Sequence, residues 1–220
     1  MEWDPLELSF VVAITSTAIT LVVGLALATL LATRRLPGRE LLDAIITGPL
    51  VLPPTVLGYY VLVALGRRSA IGRAFEDLTG TSIVFTFTGC VVAATIGALP
   101  LMVKSARAAL EGVDPTLVRA ARTLGAGPVR AYFTVMVPLA WRGILAGVML
   151  GFAKALGDFG VTLMIAGDIP GETQTASLKI YDLINANHEA EAAGMIALFT
   201  AIAVATLWTV NHITRRRDDD

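Results

Sequence analysis

Lys154 and Asp158 are the two residues whose charge and spacing could do chemistry in this sequence. They stand four apart in GILAGVMLGFAKALGDFGVTLMIA (Gly143–Ala166), a run with no other Asp, Glu, Lys or Arg. Four residues make about one helical turn, so an ammonium and a carboxylate would share a face and could neutralise each other. An ionisable group at membrane depth is costly and by default marks a path for an ion, a proton or a charged substrate. Both readings stand. The pair's place near the outer end of its apolar run leads to the expectation that both groups reach water. Together with Pro53 and Pro54, Lys154 and Asp158 are the candidates for a translocation path or gate.

The groups that other chemistries need are missing. No G-x-x-x-x-G-K-[ST] loop is present, so the chain is not expected to cradle ATP phosphates. His188 falls in a polar stretch and His212 at the end of an apolar one. Neither has a Cys or His at metal spacing, and no metal is expected. Cys90, the one cysteine, sits in an apolar run and reads as a small buried side chain. No Ser-His-Asp or paired-carboxylate arrangement can be argued. The chain is not expected to be an enzyme or to bind nucleic acid, and it needs no cofactor of its own.

The elements that would position the pair are membrane spans. Of 220 residues, 55% are hydrophobic and 16% charged, against about 25% charged in a soluble domain, and the mean hydropathy is +0.71. The N-terminal MEWDPLEL is acidic and lacks a basic n-region, so no cleavable signal peptide is expected. Apolar stretches predict five spans, at about 8–33, 41–66, 83–110, 138–158 and 190–213, in a single transmembrane domain over 1–220. The second contains Pro49, Pro53 and Pro54 and should be bent or broken near its middle, facing a water-filled path or only aiding packing. The fourth carries Gly143, Gly147 and Gly151 at i+4 spacing, a close-packing stripe for a helix whose identity the sequence leaves open. Residues 159–185 are too short for a span and read as re-entrant or interfacial. With this assignment 12 Lys/Arg fall on one side and four on the other, Lys154 apart. That bias places the N-terminus outside and the C-terminus in the cytoplasm.

One stretch is neither span nor ordinary loop. In DPTLVRAARTLGAGPVRAYFTVMVP (Asp114–Pro138), Asp114 is a helix N-cap with Pro115 at the first helical position. Leu117, Ala120, Ala121 and Leu124 recur at i, i+3, i+4, i+7 with Arg119 and Arg122 beside them. Gly125, Ala126 and Gly127 end that helix, and Pro128 restarts one with Val129, Tyr132, Phe133 and Met136 at the same spacing. The pattern predicts two short helices over 114–137 with a joint between them. Both need a partner.

This stretch resembles the coupling loop of ABC importer permeases: E-A-A, three residues, Gly, nine residues, I-x-L-P. Ala120, Ala121 and Gly125 match, Val135 stands for the Ile, Val137-Pro138 stand for Leu-Pro, and Arg119 replaces the Glu. PLVLPPTVLGYYVLV (Pro49–Val63), GRRSAIG (Gly66–Gly72), PLMVKSARAALEGVD (Pro100–Asp114) and FAKALGDFGVTLMIAGDIPGETQT (Phe152–Thr175) extend the resemblance to permeases of bacterial molybdate ABC importers. Permeases for tungstate, sulfate or thiosulfate share the loop.

The resemblance implies an all-α polytopic membrane protein with the type I ABC importer permease fold. It implies a subunit of the inner membrane that works as a homodimer with two ATPase subunits, which carry the ATP and Mg. It also implies an extracytoplasmic oxyanion-binding protein and a surrounding of membrane lipid. Arg119, Ala120, Ala121, Leu124, Gly125, Val135 and Pro138 would form the ATPase-coupling surface. A stand-alone secondary transporter and an assembly protein with no path are the competing classes.

Overall fold

The Asp4 carboxylate accepts from the Leu6 amide at 2.9 Å and Pro5 takes the first helical position; from that cap α1 runs over Pro5–Ala32. The computed structural model describes residues 4–33 and 37–215, and among the described residues every regular element is helical. After α1 come α2 (Arg39–Val51), α3 (Pro54–Leu65), α4 (Ala70–Thr79), α5 (Phe87–Glu111) and α6 (Pro115–Thr123). Then follow α7 (Pro128–Ala131), a π-helical stretch (Tyr132–Met136), α8 (Val137–Leu156), α9 (Gly160–Ala166), α10 (Ala176–Asn185) and α11 (Glu189–Arg215). Arg34, Arg35, Arg216 and Arg217, counted in the charge bias, lie outside the described residues.

Four helical stretches are long and apolar enough to cross a membrane: Pro5–Ala32, Phe87–Glu111, Pro128–Leu156 and Glu189–Thr209. A fifth crossing exists only if α2 and α3 are taken together, and they meet at a bend of 120°. The cause is local. Pro53 and Pro54 have no amide hydrogen, and each disfavours helical backbone in the residue before it. Leu52 and Pro53 are accordingly extended, with ψ of 138° and 136°.

At the centre stands α5, packed against α1 on one side and α8 on the other. Lipid supplies no hydrophobic drive between helices, so close packing of small residues must hold them. The glycine stripe of α8 provides it. A Cβ on Gly143 would lie 2.4 Å from Ala109 Cβ, and one on Gly147 would lie 3.0 Å from Met102 Sδ and from Ser105 Cβ. One on Gly151 would lie 3.8 Å from Ala98 Cβ. The stripe therefore faces α5 of the same chain, which the sequence left open. On α1, Gly24 meets Met102 in the same way, at 2.7 Å from Cγ.

The structure corrects the joint within 114–137. Instead of a second short helix ending before Pro138, α7, the π stretch and α8 form one stretch of 29 residues. Pro138 would ordinarily break such a helix, because it cannot donate and its ring crowds the carbonyl four residues back. Here the turn before it is widened, with the Val137 amide donating to the Tyr132 carbonyl five residues earlier. A π turn of this kind lets the helix pass through the proline.

Residues 159–185 fold as two short helices. The first, α9, packs against α3 and α5. Gly58 admits Met164 (2.6 Å to Cβ), and Gly160 admits Pro54 (2.7 Å to Cβ). Phe85 is held in the left-handed region at φ 58° while its amide donates to the Ile165 carbonyl at 2.9 Å. The N-terminus of α10 is tied to α1: the Ala176 amide donates to Ser9 Oγ at 2.8 Å, both buried. Cys90 is buried and its thiol donates to the Thr173 carbonyl at 3.7 Å.

Candidate functional site

The coupling candidates sit on α6 and on the helix that follows it. Asp114 Oδ1 accepts from the Thr116 amide at 2.8 Å. That hydrogen bond, with Arg119 near, holds the exposed Asp114 carboxyl below the usual carboxylate range. Its charge suits the amides at a helix N-terminus. At the other end the Ala126 amide donates to the Ala121 carbonyl at 3.0 Å and the Gly125 amide to the Arg122 carbonyl at 3.1 Å. Closing the helix this way puts Gly125 at φ 87°, where a Cβ is disfavoured. That is the physical reason for glycine at this place in the pattern, since a Cβ there would touch nothing within 4 Å.

No residue of α6 is buried. Val118 and Ala121 are half-buried, whereas Arg119, Ala120, Arg122, Thr123 and Leu124 are exposed. The stripe Leu117, Ala120, Ala121, Leu124 is thus mostly turned away from the rest of the chain, and Leu124 is 89% exposed. Val135 and Pro138 lie on the long helix beside α6 rather than on a free coupling segment. Leu117 and Pro138 line one cleft of about 500 Å³ with Val113, Trp141 and Arg142. The π stretch is anchored to α1 by a 2.6 Å hydrogen bond between the Tyr132 and Thr29 hydroxyls.

At the other end of α8, Lys154 Nζ donates to Asp158 Oδ1 at 2.9 Å. Asp158 Oδ2 accepts from the Thr162 amide at 3.1 Å and from the Thr162 hydroxyl at 2.8 Å. The pair neutralises itself, but the expectation that both groups reach water fails: the Lys154 side chain is 40% exposed and that of Asp158 only 3%. Asp158 is held inside because it also caps α9, one residue before that helix's N-cap, Phe159. Gly97 on α5 leaves the room; a Cβ there would lie 3.4 Å from Asp158 Oδ1 and 3.6 Å from Lys154 Cε. The two backbone breaks also meet, since Pro54 packs on Gly160. Pro53 and Pro54 are exposed. The structure therefore brings Pro54, Lys154 and Asp158 into one region around the start of α9.

An ionic network escaped the sequence reading. Glu111 at the end of α5 accepts from Arg107 at 3.0 Å and pairs with Arg39 at the start of α2. Asp43 on α2 pairs with Lys104 at 3.0 Å and with Arg107 at 3.1 Å. Lys104, Arg107 and Glu111 lie at i, i+3, i+7 and Arg39 and Asp43 at i, i+4, a signal that two helix faces of mixed charge could meet. Thr162, four residues after Asp158, was legible in the same way.

The spans pack around α5, and the short amphipathic α6 between two of them is left unburied. The chain belongs to the family of binding-protein-dependent transport system inner membrane components, whose model matches residues 8–218. It is similar to the molybdenum transport system permease protein ModB of Escherichia coli (strain K12), with 43% identity over 215 residues covering 97% of this chain and 94% of that one. ModB of Haemophilus influenzae is 41% identical over 202 residues, covering 92% and 88%. Among solved structures, a chain of the MetNI methionine ABC transporter in an inward-facing conformation superposes with a TM-score of 0.70. It has 18% identity and covers 95% of this chain and 92% of that one, a likeness of fold.

Proposed function

We propose that this chain is the permease subunit of an ATP-driven importer of molybdate, working as a homodimer with two ATPase subunits and an extracytoplasmic oxyanion-binding protein. The observation that carries the reading is α6, a capped amphipathic helix without a buried residue, in a chain 43% identical to a molybdenum permease along nearly its whole length. A helix of nine residues is too short to be stable alone in water. It is retained because a partner completes it. ATP and Mg bind that partner, which does the hydrolysis.

In this reading the N-terminus is outside and α6 faces the cytoplasm. ATP draws the two ATPases together, each α6 moves with its ATPase, and the span bundles rock so that a path between the two copies opens outward. The binding protein then releases the oxyanion, and hydrolysis resets the inward-open state. The region around Pro54, Lys154 and Asp158 lies at or beside the path. Selection of the anion resides chiefly in the binding protein.

The test is ATP hydrolysis by this chain co-purified with its ATPase in lipid, with binding protein loaded with molybdate, tungstate or sulfate. Stimulation by molybdate-loaded protein, lost when Ala121 and Gly125 are made bulky, supports the reading. Stimulation by sulfate alone keeps the class and changes the substrate. Absence of an ATPase from the preparation, with no stimulation by any load, overturns it.

A further inference from the structure

From Pro115 to Gly157 the sequence contains four Arg and one Lys and no Asp or Glu. Three of those arginines, Arg119, Arg122 and Arg130, are exposed on α6 and α7. Among the described residues none of the three guanidiniums has a hydrogen bond or an ion pair, Arg119 lying near Asp114 without pairing to it, although Arg39 and Arg107 at the same end of the bundle are both paired. The apolar side chains interleaved with them are also bare: Leu124 is 89%, Val129 69% and Phe133 62% exposed. The surface is therefore doubly incomplete, in charge and in apolar contact.

We infer that the partner surface receiving α6 is an apolar groove with carboxylates at its rim, placed to pair with Arg119 and Arg122. The inference rests on the proposal that α6 docks an ATPase and adds the chemistry of the groove. A groove lined with cations would meet the guanidiniums without a counterion, and like charges brought together at an interface are strongly unfavourable. A purely apolar groove would strip water from them with nothing in return. Carboxylates answer both problems and can bind a guanidinium through two parallel hydrogen bonds. Leu124, Val129 and Phe133 supply the apolar part of the contact. The side of α6 that carries Val118 and Ala121 already leans on the chain, so Arg119 faces the partner.

The experiment uses the complex with its ATPase in nanodiscs. Arg119→Glu and the double variant Arg119→Glu/Arg122→Glu are compared with Arg119→Gln for ATPase affinity at low and high salt. The expected result is an affinity about tenfold lower for the single reversal and lower still for the double, shrinking as salt rises. In parallel, Arg119→Lys treated with a carbodiimide should form a zero-length cross-link to an Asp or Glu of the ATPase. If the reversals leave affinity unchanged and the lysine cross-links to no carboxylate while the complex still hydrolyses ATP, the inference is overturned and the docking proposal stands. Loss of binding to nanodiscs' anionic lipid alone, with ATPase affinity intact, would also overturn it, assigning the arginines to headgroups. A chain that never co-purifies with an ATPase would sink both.

Discussion

Lys154 on α8 and Asp158, just beyond its end, form a 2.9 Å ion pair that holds the buried carboxylate while its other oxygen caps α9. Removing the cation leaves that carboxylate inside without a counter-charge. Breaking a buried pair costs about 3–5 kcal/mol, and because Lys154 is 40% exposed water softens the loss here to about 2 kcal/mol. Lys154→Met should therefore lower the thermal midpoint more than Asp158→Asn, whose amide oxygen still accepts from Thr162. Melting curves of the purified chain in detergent check the order, and equal losses would contradict it.

The α8 stripe makes an unequal prediction along its length. Gly143→Ala puts a Cβ 2.4 Å from Ala109 Cβ, whereas Gly151→Ala meets Ala98 at 3.8 Å, ordinary contact. The first should cost about 1–3 kcal/mol through forced separation of α5 and α8, and the second within about 0.5 kcal/mol. Thermal unfolding of the two variants side by side decides it.

Gly125→Ala meets no neighbour, so its cost is the strain of a side chain at φ 87°, about 1–2 kcal/mol. Because α6 buries no residue, that strain should fray its end without touching the bundle. The expected outcome is an unchanged melting midpoint with reduced ATPase stimulation in the assembled complex. A fall in both together would mean that α6 supports the fold.

In the loop before α10, burial raises the Asp168 carboxyl above the usual range, with the adjacent Asp182 carboxylate adding to it and Gln174 opposing. One oxygen of Asp168 is buried with no hydrogen-bond partner. The folded chain thus holds a proton more tightly than the unfolded chain. The stabilising contribution is fully present below the unfolded pKa and is lost as pH rises through the folded one. At neutral pH the carboxylate is a cost. Asp168→Asn should raise the melting midpoint by about 2 °C at pH 7, and the gain should vanish below pH 4. A gain independent of pH would refute the assignment.

Much of this was legible because membrane helices announce themselves by length and apolarity. Asp114, Pro115 and Gly125 marked both ends of α6 through local chemistry, and Pro53-Pro54 marked the break between α2 and α3. The continuous helix through Pro138 was not legible, since the proline reads as a boundary and a widened turn leaves no signature in residue type. The partner of Gly143 was hidden for a related reason. A small-residue stripe states that something comes close and not what. Asp158 misled because its position predicted solvent, whereas its burial depends on α9 folding back over it.

The ionic network at the start of α2 acts as a mechanical linkage. Glu111 is three residues before Asp114, and through Arg107 and Arg39 it grips α2. Asp43 is fastened to Lys104 and Arg107 from the other side. If α6 docks its ATPase as proposed, these ion pairs are the charged connection from the end of α5, just before α6, to the foot of α2. Thirteen residues of helix lead from there to the Leu52–Pro53 joint, where Pro53 and Pro54 have no amide hydrogen to carry the helical ladder across. The chain thus ties the end of α5 to a helix that bends by 120° at its far end, so a displacement beneath the bundle can become an angular one where Pro54 rests on Gly160.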